Sequence, residues 1–490
     1  MMREQFDVIV GNPPWLSYRY IEEPEYQAEI KKRALDDYHI APKEARLITQ
    51  MELATVFLAH AMGRFSKKGG ALAFVMPRSI LSADQHHLLR IRQYAKRCRF
   101  RWEGYWDLKD VKPLFKVPSC VIFVSEADHF GPPDQQIPAR EWTGTLDDKN
   151  MSWAEAADHL GYIDKSARVI YLGSRSALST VLGSHRPTLS SPYAKQFHDG
   201  ATIYPRNFFF VSVRDLDGEA DPGKDYWIET DPEQAADSKK PYDEVNLRGH
   251  IEGRFLFSSA LAKHVLPFVV LPPPTVVLPL EVQGARPKLL DVEELRKRGY
   301  RHCAKWMGAV EKIWKEKRGA KASRMDLLEQ LDYQGKLSNQ DLDAAHLVLY
   351  AASGTNLSVA CFERSSFPLT FLVDHKLYWG AFQTRRESNY VAAILNSTSI
   401  NEAIKPFQSL GNQGERDIHK KVLDLAIPKY DPAKSLHCDL AELGDQARRR
   451  GAILIKSEDF PGRIVGQRDY LRQGIKDVLA EIDGIAKKLI

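Results

Sequence analysis

The stretch "FDVIVGNPPWLSY", Phe6–Tyr18, decides the fold class. Apart from Asp7, Phe6–Gly11 is apolar and includes β-branched residues, which predicts a strand buried on both faces of a sheet. Proline cannot donate to a strand ladder, so the two prolines of Asn12–Trp15 end the strand. The pattern therefore predicts a core strand with an amide, two prolines and an indole at its end.

The residues that follow predict a second strand connected through a helix. Apolar residues recur at spacings of three and four over Glu44–Lys68, which predicts an amphipathic helix. Ala71–Pro77 is again continuously apolar and predicts a core strand. Strand, helix and strand in this order form a βαβ unit with a parallel sheet. We also predict a helix over Ala83–Lys96 and a core strand over Ser119–Glu126.

The residue pattern changes in the second half of the chain. Prolines and glycines become frequent, and short apolar runs alternate with turns, which is typical of a mixed α+β domain. We therefore predict an α/β domain over residues 1–180, a mixed α+β domain over residues 185–435, and a helical tail over residues 436–490.

Composition limits the class of protein. The chain has 490 residues, of which 43% are apolar and 27% charged, as in soluble globular proteins. It contains no apolar run long enough to span a membrane and no leader-like N-terminus, so we expect a cytoplasmic protein. The 5 cysteines have neither disulfide nor zinc spacing.

Positive charge is concentrated in one segment. Arg286–Arg324 contains 13 Lys and Arg against 5 Asp and Glu, a net charge of +8, whereas the whole chain carries +5. Such a face suits a polyanion, although a solvated helix surface explains it equally well. Trp306 and Trp314 in this segment could stack on bases, but their spacing of eight also suits packing on one helical face.

The residue types of Asn12–Trp15 fit a reaction at an aromatic amine. The lone pair of such an amine is delocalised into the ring, and two hydrogen-bond acceptors that hold its N–H groups localise it again. An Asn side-chain oxygen and a backbone carbonyl in a proline-fixed loop are such acceptors. An aromatic side chain nearby can stack on the flat base. The alternative is a strand-ending turn with a buried Trp.

These residues resemble the catalytic loop of DNA amino-methyltransferases, in particular the adenine-modifying class. In that family Asn/Asp-Pro-Pro-Tyr/Phe/Trp follows the fourth strand of a Rossmann-like sheet. The resemblance implies that the Asn12 side chain and the Pro13 carbonyl accept from the 6-amino group of a flipped adenine. It implies that Pro14 shapes the loop, that Trp15 stacks on the base, and that S-adenosylmethionine is the cofactor.

Later segments extend the resemblance. "LFKVPSCVIFV", Leu114–Val124, resembles the loop that offers a second aromatic face to the base, which nominates Phe115. Gly200–Val211 and Gly414–Asp431 resemble parts of large restriction-modification methyltransferases whose catalytic domain precedes a target-recognition domain. In this interpretation residues 185–435 read double-stranded DNA. The candidates for DNA contact are Arg206, Arg416, His419, Lys420 and Lys421.

The half of the family's sheet that binds S-adenosylmethionine lies before the catalytic loop, and only 11 residues precede Asn12 here. No Gly-x-Gly turn after a strand occurs at a suitable later place. We therefore expect the rear half of a Rossmann-like sheet. Its cofactor-binding half would come from a separate subunit or from upstream sequence.

The function predicted from this resemblance is methylation of adenine in DNA, in restriction-modification or phage defence. An alternative is a non-catalytic DNA-binding or specificity protein derived from such an enzyme. The same loop type also serves enzymes that act on amines of cytosine, glutamine or RNA.

Overall fold

The computed structural model describes residues 6–43, 45–95, 98, 100–127, 129, 135–181, 183–184, 189–236, 238–319, 325–411 and 414–489. The chain forms two compact units. Unit 1 comprises Met1–Ser190 and Glu402–Ala426, and unit 2 comprises Ser191–Asn401 and Ile427–Ile490.

Both units contain strands and helices. The strands are β1 (Phe6–Gly11), β2 (Ser66–Pro77), β3 (Phe100–Lys112), β4 (Ser119–Glu126), β5 (Ile137–Thr145), β6 (Leu160–Leu172), β7 (Arg175–Ser179), β8 (Phe197–Asp199), β9 (Phe210–Val213), β10 (Asp225–Thr230), β11 (Arg248–Glu252), β12 (Leu256–Ala260), β13 (Thr275–Val277), β14 (Leu280–Val282), β15 (Pro287–Leu289), β16 (His346–Ala351), β17 (Val359–Glu363), β18 (Phe371–Val373), β19 (Leu377–Phe382), β20 (Leu410–Gly411) and β21 (Gly414–Glu415). The α-helices are α1 (Pro24–Lys32), α2 (Ala45–Ile48), α3 (Leu53–Arg64), α4 (His87–Arg90), α5 (Trp153–Ala157), α6 (Arg206–Phe209), α7 (Pro232–Ala235), α8 (Val292–Lys297), α9 (Arg301–Lys317), α10 (Leu327–Leu331), α11 (Arg385–Asn396), α12 (Thr398–Ile404), α13 (Ser435–Leu454), α14 (Ile464–Gly474) and α15 (Lys476–Leu489).

A mixed seven-stranded sheet organises unit 1, in the order β1-β2-β4-β3-β5-β6-β7. β1 and β2 are parallel, with Gly11 beside Phe74, and α3 connects them in sequence. β4 runs antiparallel between β2 and β3. The predicted βαβ unit is therefore present, and the α/β fold class is confirmed.

The prediction that the first strand is covered on both faces is wrong. β1 lies at the edge of the sheet, and within the described residues it pairs with β2 alone. Val8 is 65% exposed and Val10 is 74% exposed, while Ile9 packs against the core. The apolar run therefore forms an edge with an uncovered surface, which is a liability for a sheet in water.

The long helices predicted in unit 1 are shorter in the structure. The helix predicted over Glu44–Lys68 is broken at Thr49–Glu52, where Met51 accepts from the backbone N–H of Tyr18 at 2.8 Å. The helix predicted over Ala83–Lys96 is reduced to α4 and a short 3-10 turn. Tertiary pairing of the break with the segment after Asn12–Trp15 outweighs the helical pattern there.

Unit 2 is built on two larger sheets. One has six strands in the order β11-β10-β9-β13-β12-β18, and the other has four in the order β17-β16-β19-β8. The core beside the six-stranded sheet includes Phe208, Phe257 and Leu327. This architecture matches the predicted mixed α+β domain.

Helix α9 contributes its aromatic face to that core. Trp306 is 6% exposed and Trp314 is 4% exposed. The indole Nε1 of Trp306 donates to the Phe208 carbonyl at 2.9 Å. The interpretation in which the two indoles pack on one helical face is therefore the one that the structure supports.

The contacts group two spans differently from the predicted domains. Residues 402–426 belong to unit 1, whereas α13–α15 belong to unit 2 rather than to a separate tail. Asn389 of α11 donates to Asp445 of α13 at 3.3 Å, and Thr398 N–H donates to Asp483 of α15 at 2.6 Å. These helices pack because their apolar faces bury residues such as Ile482. The functions assigned to the predicted spans stay predictions.

Three further features concern membrane spans, metal sites and cysteines. None of the helices in the described part of the chain has the length and apolar character needed to cross a membrane. Within the same residues, His, Cys, Asp and Glu form no cluster suited to a metal ion. All five cysteines are free thiols, and four of them are buried.

Candidate active site

The Asn12–Trp15 loop lies at the carboxyl ends of two parallel strands, where α/β folds place ligands. It follows β1 directly, beside the end of β2. The Asn12 and Pro14 side chains are exposed and Pro13 is buried. The loop is thus fixed by one proline and presents its amide outward.

The loop carries two acceptor groups, the side-chain oxygen of Asn12 and the carbonyl oxygen of Pro13. Among the described residues, no hydrogen bond engages the side chain of Asn12 or the carbonyl oxygen of Pro13. The indole Nε1 of Trp15 is a donor, but it is already bound to the carbonyl of Val75 at 3.2 Å. The loop therefore offers acceptors, and its aromatic donor is occupied.

Trp15 and Phe115 are brought together from positions 100 residues apart in the sequence. Their ring centroids are 4.7 Å apart with an interplanar angle of 47°. Trp15 is partly buried against the core, and Phe115 is 41% exposed. A base that enters here would meet a ring face and a tilted second ring, a geometry that aromatic groups favour.

A cavity of about 250 Å³ borders Trp15. Its polar wall includes Ser17, Glu52, Arg78 and Ser409. A flat polar ligand such as a nucleobase suits a cavity that combines an indole with a few placed polar groups.

Glu52 is a partly buried carboxylate in this wall. It accepts from the Ser79 hydroxyl at 2.7 Å and contacts the His86 Nε2 at 2.7 Å. Burial alone would raise the pKa of Glu52, but His86 and the hydrogen bonds from Ser79 and Gln85 outweigh it and lower that pKa. Glu52 is therefore ionised at neutral pH and fixed by its neighbours.

Arg78 is fixed in a comparable way. Its Nε lies 3.0 Å and 2.9 Å from the two carboxylate oxygens of Asp107, which is buried. Arg78 follows β2 directly, as Asn12 follows β1. The sequence patterns did not point to Glu52 or Arg78. The position of Arg78 after a core strand was the available signal, whereas Glu52 gave none.

The residues nominated for DNA contact lie in different units. Arg206 is partly buried at the start of α6 in unit 2. Arg416, His419 and Lys420 lie in the span of residues 402–426, which belongs to unit 1. That span also contributes Ser409 to the cavity beside Trp15.

Local charges offset part of the positive character of this span. The Nε2 of His419 lies 3.7 Å from Asp417, and this imidazole holds the pKa of Asp417 down to about 2. The Lys421 ammonium donates to the Asp417 carbonyl at 2.9 Å and is buried. Arg416 is exposed, so it is the better placed of these residues to reach a phosphate.

Residues 1–102 match the family model described as Eco57I restriction-modification methylase. This match contains Asn12–Trp15, Glu52 and Arg78, and it ends before Phe115. No curated protein sequence matches the chain.

Among solved structures, the chain is similar to the type IIL restriction-modification enzyme MmeI, determined in complex with DNA. The TM-score is 0.57 at 12% identity, and the match covers 98% of this chain and 54% of MmeI. The chain thus spans about half the length of MmeI, and the likeness shows a shared fold.

Two further structures match with lower scores. The ATP-dependent type ISP enzyme LlaBIII, bound to DNA, gives a TM-score of 0.43 at 10% identity, over 90% of this chain and 30% of LlaBIII. The DrdV–DNA complex gives 0.39 at 12% identity, over 90% of this chain and 44% of DrdV. The fold assignment rests on MmeI.

Proposed function

We propose that this chain is the catalytic-loop and target-recognition portion of a restriction-modification DNA methyltransferase that modifies the 6-amino group of adenine. The observation that carries the proposal is the pair of unengaged acceptors at Asn12 and Pro13 beside the contact of Trp15 with Phe115. The family match of residues 1–102 includes the loop and supports methylation as the reaction.

The chain's own residues would activate the amine by hydrogen bonding. The Asn12 side-chain oxygen and the Pro13 carbonyl would accept the two N–H groups of the amine. Its lone pair then localises on nitrogen and points away from the ring. The Trp15 N–H does not compete for that lone pair, because Val75 already accepts from it.

The adenine would be held outside the duplex by the aromatic pair. Base extrusion costs a few kcal/mol, and stacking in the pocket offsets that cost. Trp15 would supply the face and Phe115 the tilted ring, while Glu52 and Arg78 would border the base as fixed charges.

Recognition of the DNA sequence would fall to other parts of the chain. We assign it to the mixed domain predicted over residues 185–435, with Arg206 in unit 2 and Arg416, His419 and Lys420 in the returning span of unit 1. Arg and Lys make both phosphate and base contacts, so each is a candidate for positioning or for readout.

The methyl donor of this enzyme class is S-adenosylmethionine, which carries an electrophilic methyl group. Within the described residues, β1 has no neighbour on its outer edge, and Val8 and Val10 are exposed. We therefore propose that a cofactor-binding half, on preceding sequence or on a separate subunit, joins the sheet at β1. Covering this edge would also remove the exposed apolar surface.

The test is methylation by the assembled enzyme. The chain is produced with its upstream coding sequence or its genomic neighbours in a host that lacks adenine methylation. Nucleosides from the host DNA are then analysed by mass spectrometry. We expect N6-methyladenine with the wild-type chain and with Asn150→Ala, an exposed asparagine elsewhere in unit 1. With Asn12→Ala we expect less of it by a factor of about 10²–10³.

Equal methylation by the wild type and Asn12→Ala would overturn the catalytic assignment. Salt-dependent DNA binding without methylation by any assembly would instead support the non-catalytic DNA-binding protein.

A further inference from the structure

A second cavity in unit 1 is lined by lysines. It has a volume of about 610 Å³ and lies between the end of β3 and the start of β4, with Lys149 at its border. Four of its lining residues are lysines, Lys109, Lys112, Lys116 and Lys149, and one is an aspartate, Asp110. We call this cavity the lysine groove.

Most of the positive charge of the groove is not neutralised within the protein. Lys109 lies 3.9 Å from Asp110, at the limit of an ion pair. Lys112, Lys116 and Lys149 are exposed. Within the described ranges, no ion pair joins these three ammonium groups to a carboxylate. The groove therefore presents three solvated cations on one side of the sheet.

The lysine groove adjoins the cavity beside Trp15. Val117, Pro118 and Leu410 line both cavities. Phe115 lines the lysine groove, and its ring centroid lies 4.7 Å from that of Trp15. The lysines of the groove therefore lie next to the aromatic pair Trp15 and Phe115.

Aromatic and basic residues also alternate in the groove's own loop. Lys112 and Lys116 flank Phe115 in the sequence. Rings that stack bases, combined with cations that follow the backbone, are typical of surfaces that bind an unpaired stretch of nucleic acid. An extruded nucleotide is such a stretch, because its base has left the duplex while its phosphates stay in the strand.

We propose that the lysine groove binds the phosphates of the DNA strand that flank the extruded adenine. This inference rests on the proposed function for its ligand, and it adds a DNA-binding surface in unit 1 to the contacts assigned above. Lys112, Lys116 and Lys149 would each neutralise one phosphate and hold the backbone while the base enters the aromatic pair.

The experiment measures how DNA affinity depends on salt. Binding of a fluorescein-labelled duplex of random sequence to the full chain is followed by anisotropy across a range of NaCl concentrations. Each neutralised phosphate contributes about 0.9 to the slope of log K against log[salt]. We expect the triple variant Lys112→Ala, Lys116→Ala and Lys149→Ala to have a slope smaller by about 2.7 than the wild type.

A matched control removes the same charge from another part of unit 1. The triple variant Lys31→Ala, Lys32→Ala and Lys43→Ala replaces three exposed lysines away from both cavities. It should keep the wild-type slope, and replacement of the three groove lysines by Arg should also keep it. Thermal unfolding of each variant verifies that the chain is folded.

An unchanged slope in the groove variant, equal losses in the two triple variants, or no DNA affinity of the wild type would each overturn the inference. Asn12→Ala separates it from the proposed function, since that variant should lose methylation and keep the slope. If the groove variant loses slope while Asn12→Ala still methylates, the phosphate surface stands and the catalytic assignment fails.

Discussion

The segment Phe6–Trp15 and helix α9 both carry large apolar side chains, and the structure gives them opposite surroundings. In the first, Val8 and Val10 are exposed and Trp15 borders a cavity. In the second, Trp306 and Trp314 lie in the core of unit 2 with their Nε1 atoms bonded to backbone carbonyls.

The difference between the two regions follows from what each one packs against. Within the described residues β1 has a single neighbouring strand, so Val8 and Val10 are exposed while Ile9 packs against the core. α9 lies against the six-stranded sheet of unit 2 and buries its apolar face, while its charged face stays in water. An indole thus borders a cavity in one region and stabilises the core in the other. Five changes test this contrast.

The largest expected effect is on stability in α9. Trp306→Ala removes a buried indole and leaves the Phe208 carbonyl unpaired, which should cost about 3–5 kcal/mol of the free energy of unfolding. Urea denaturation measures this. Trp153→Ala, where the indole is 64% exposed, is the matched control and should cost less than about 1 kcal/mol. Similar losses in the two variants would contradict the packing of α9.

The next effect is on activity in the Asn12–Trp15 loop. Asn12→Ala should lower the methylation rate of the assembled enzyme by a factor of about 10²–10³ while the free energy of unfolding changes little. Asn12→Asp keeps an acceptor oxygen and should retain at least about ten-fold more activity than Asn12→Ala. Steady-state methylation assays measure both. An Asp variant as inactive as the Ala variant would argue against a role for the acceptor.

The contact between Trp15 and Phe115 can be measured as a coupling. A double-mutant cycle with Trp15→Ala and Phe115→Ala should give about 1 kcal/mol in the free energy of unfolding of unit 1. The cycle Trp15→Ala with Trp153→Ala, whose rings have no recorded contact among the described residues, is the control and should give a coupling near zero. A Trp15–Phe115 coupling near zero would contradict the contact between the two rings of the proposed base pocket.

Stability in unit 2 should depend on pH through a buried imidazole. Burial lowers the pKa of His264 to about 4, and its Nδ1 accepts from the Leu261 N–H at 3.0 Å, so the ring is neutral when folded. The unfolded chain takes up the proton below a pKa of about 6.5, so stability falls as pH decreases from that value toward 4.

The measurement compares the wild type with His264→Gln. Between pH 7 and pH 5.5 the wild type should lose about 1 kcal/mol more than the variant in the free energy of unfolding. His159→Gln, at an exposed position, should follow the wild type. A variant as sensitive to pH as the wild type would show that His264 is not buried and neutral.

The smallest effect concerns the edge strand. Val10→Lys places a charge on an exposed side chain and should change the free energy of unfolding by less than about 0.5 kcal/mol. Ile9→Lys, on the side of β1 that packs against the core, should cost several times more. Chemical denaturation of the two variants compares the faces directly. In the assembled enzyme, Val10→Lys should weaken association with the proposed cofactor-binding half.

By itself the sequence determined the elements whose signal is local. The βαβ order, the strand at Ser119–Glu126 and the placement of Asn12–Trp15 after a strand all follow from runs of apolar residues and from proline chemistry. The chemistry proposed for the candidate loop likewise rests on residue types that are adjacent in the chain, and it stays a prediction.

Only the tertiary structure decided which residues share a surface. It exposed β1, broke the predicted helix at Thr49–Glu52, and returned residues 402–426 to unit 1. It also placed Phe115 against Trp15. Phe115 shares the neighbouring cavity, the lysine groove, with four lysines. These features depend on neighbours that are distant in sequence. Burial and charge at one position are set by what packs against it, and a local pattern carries no information about that partner.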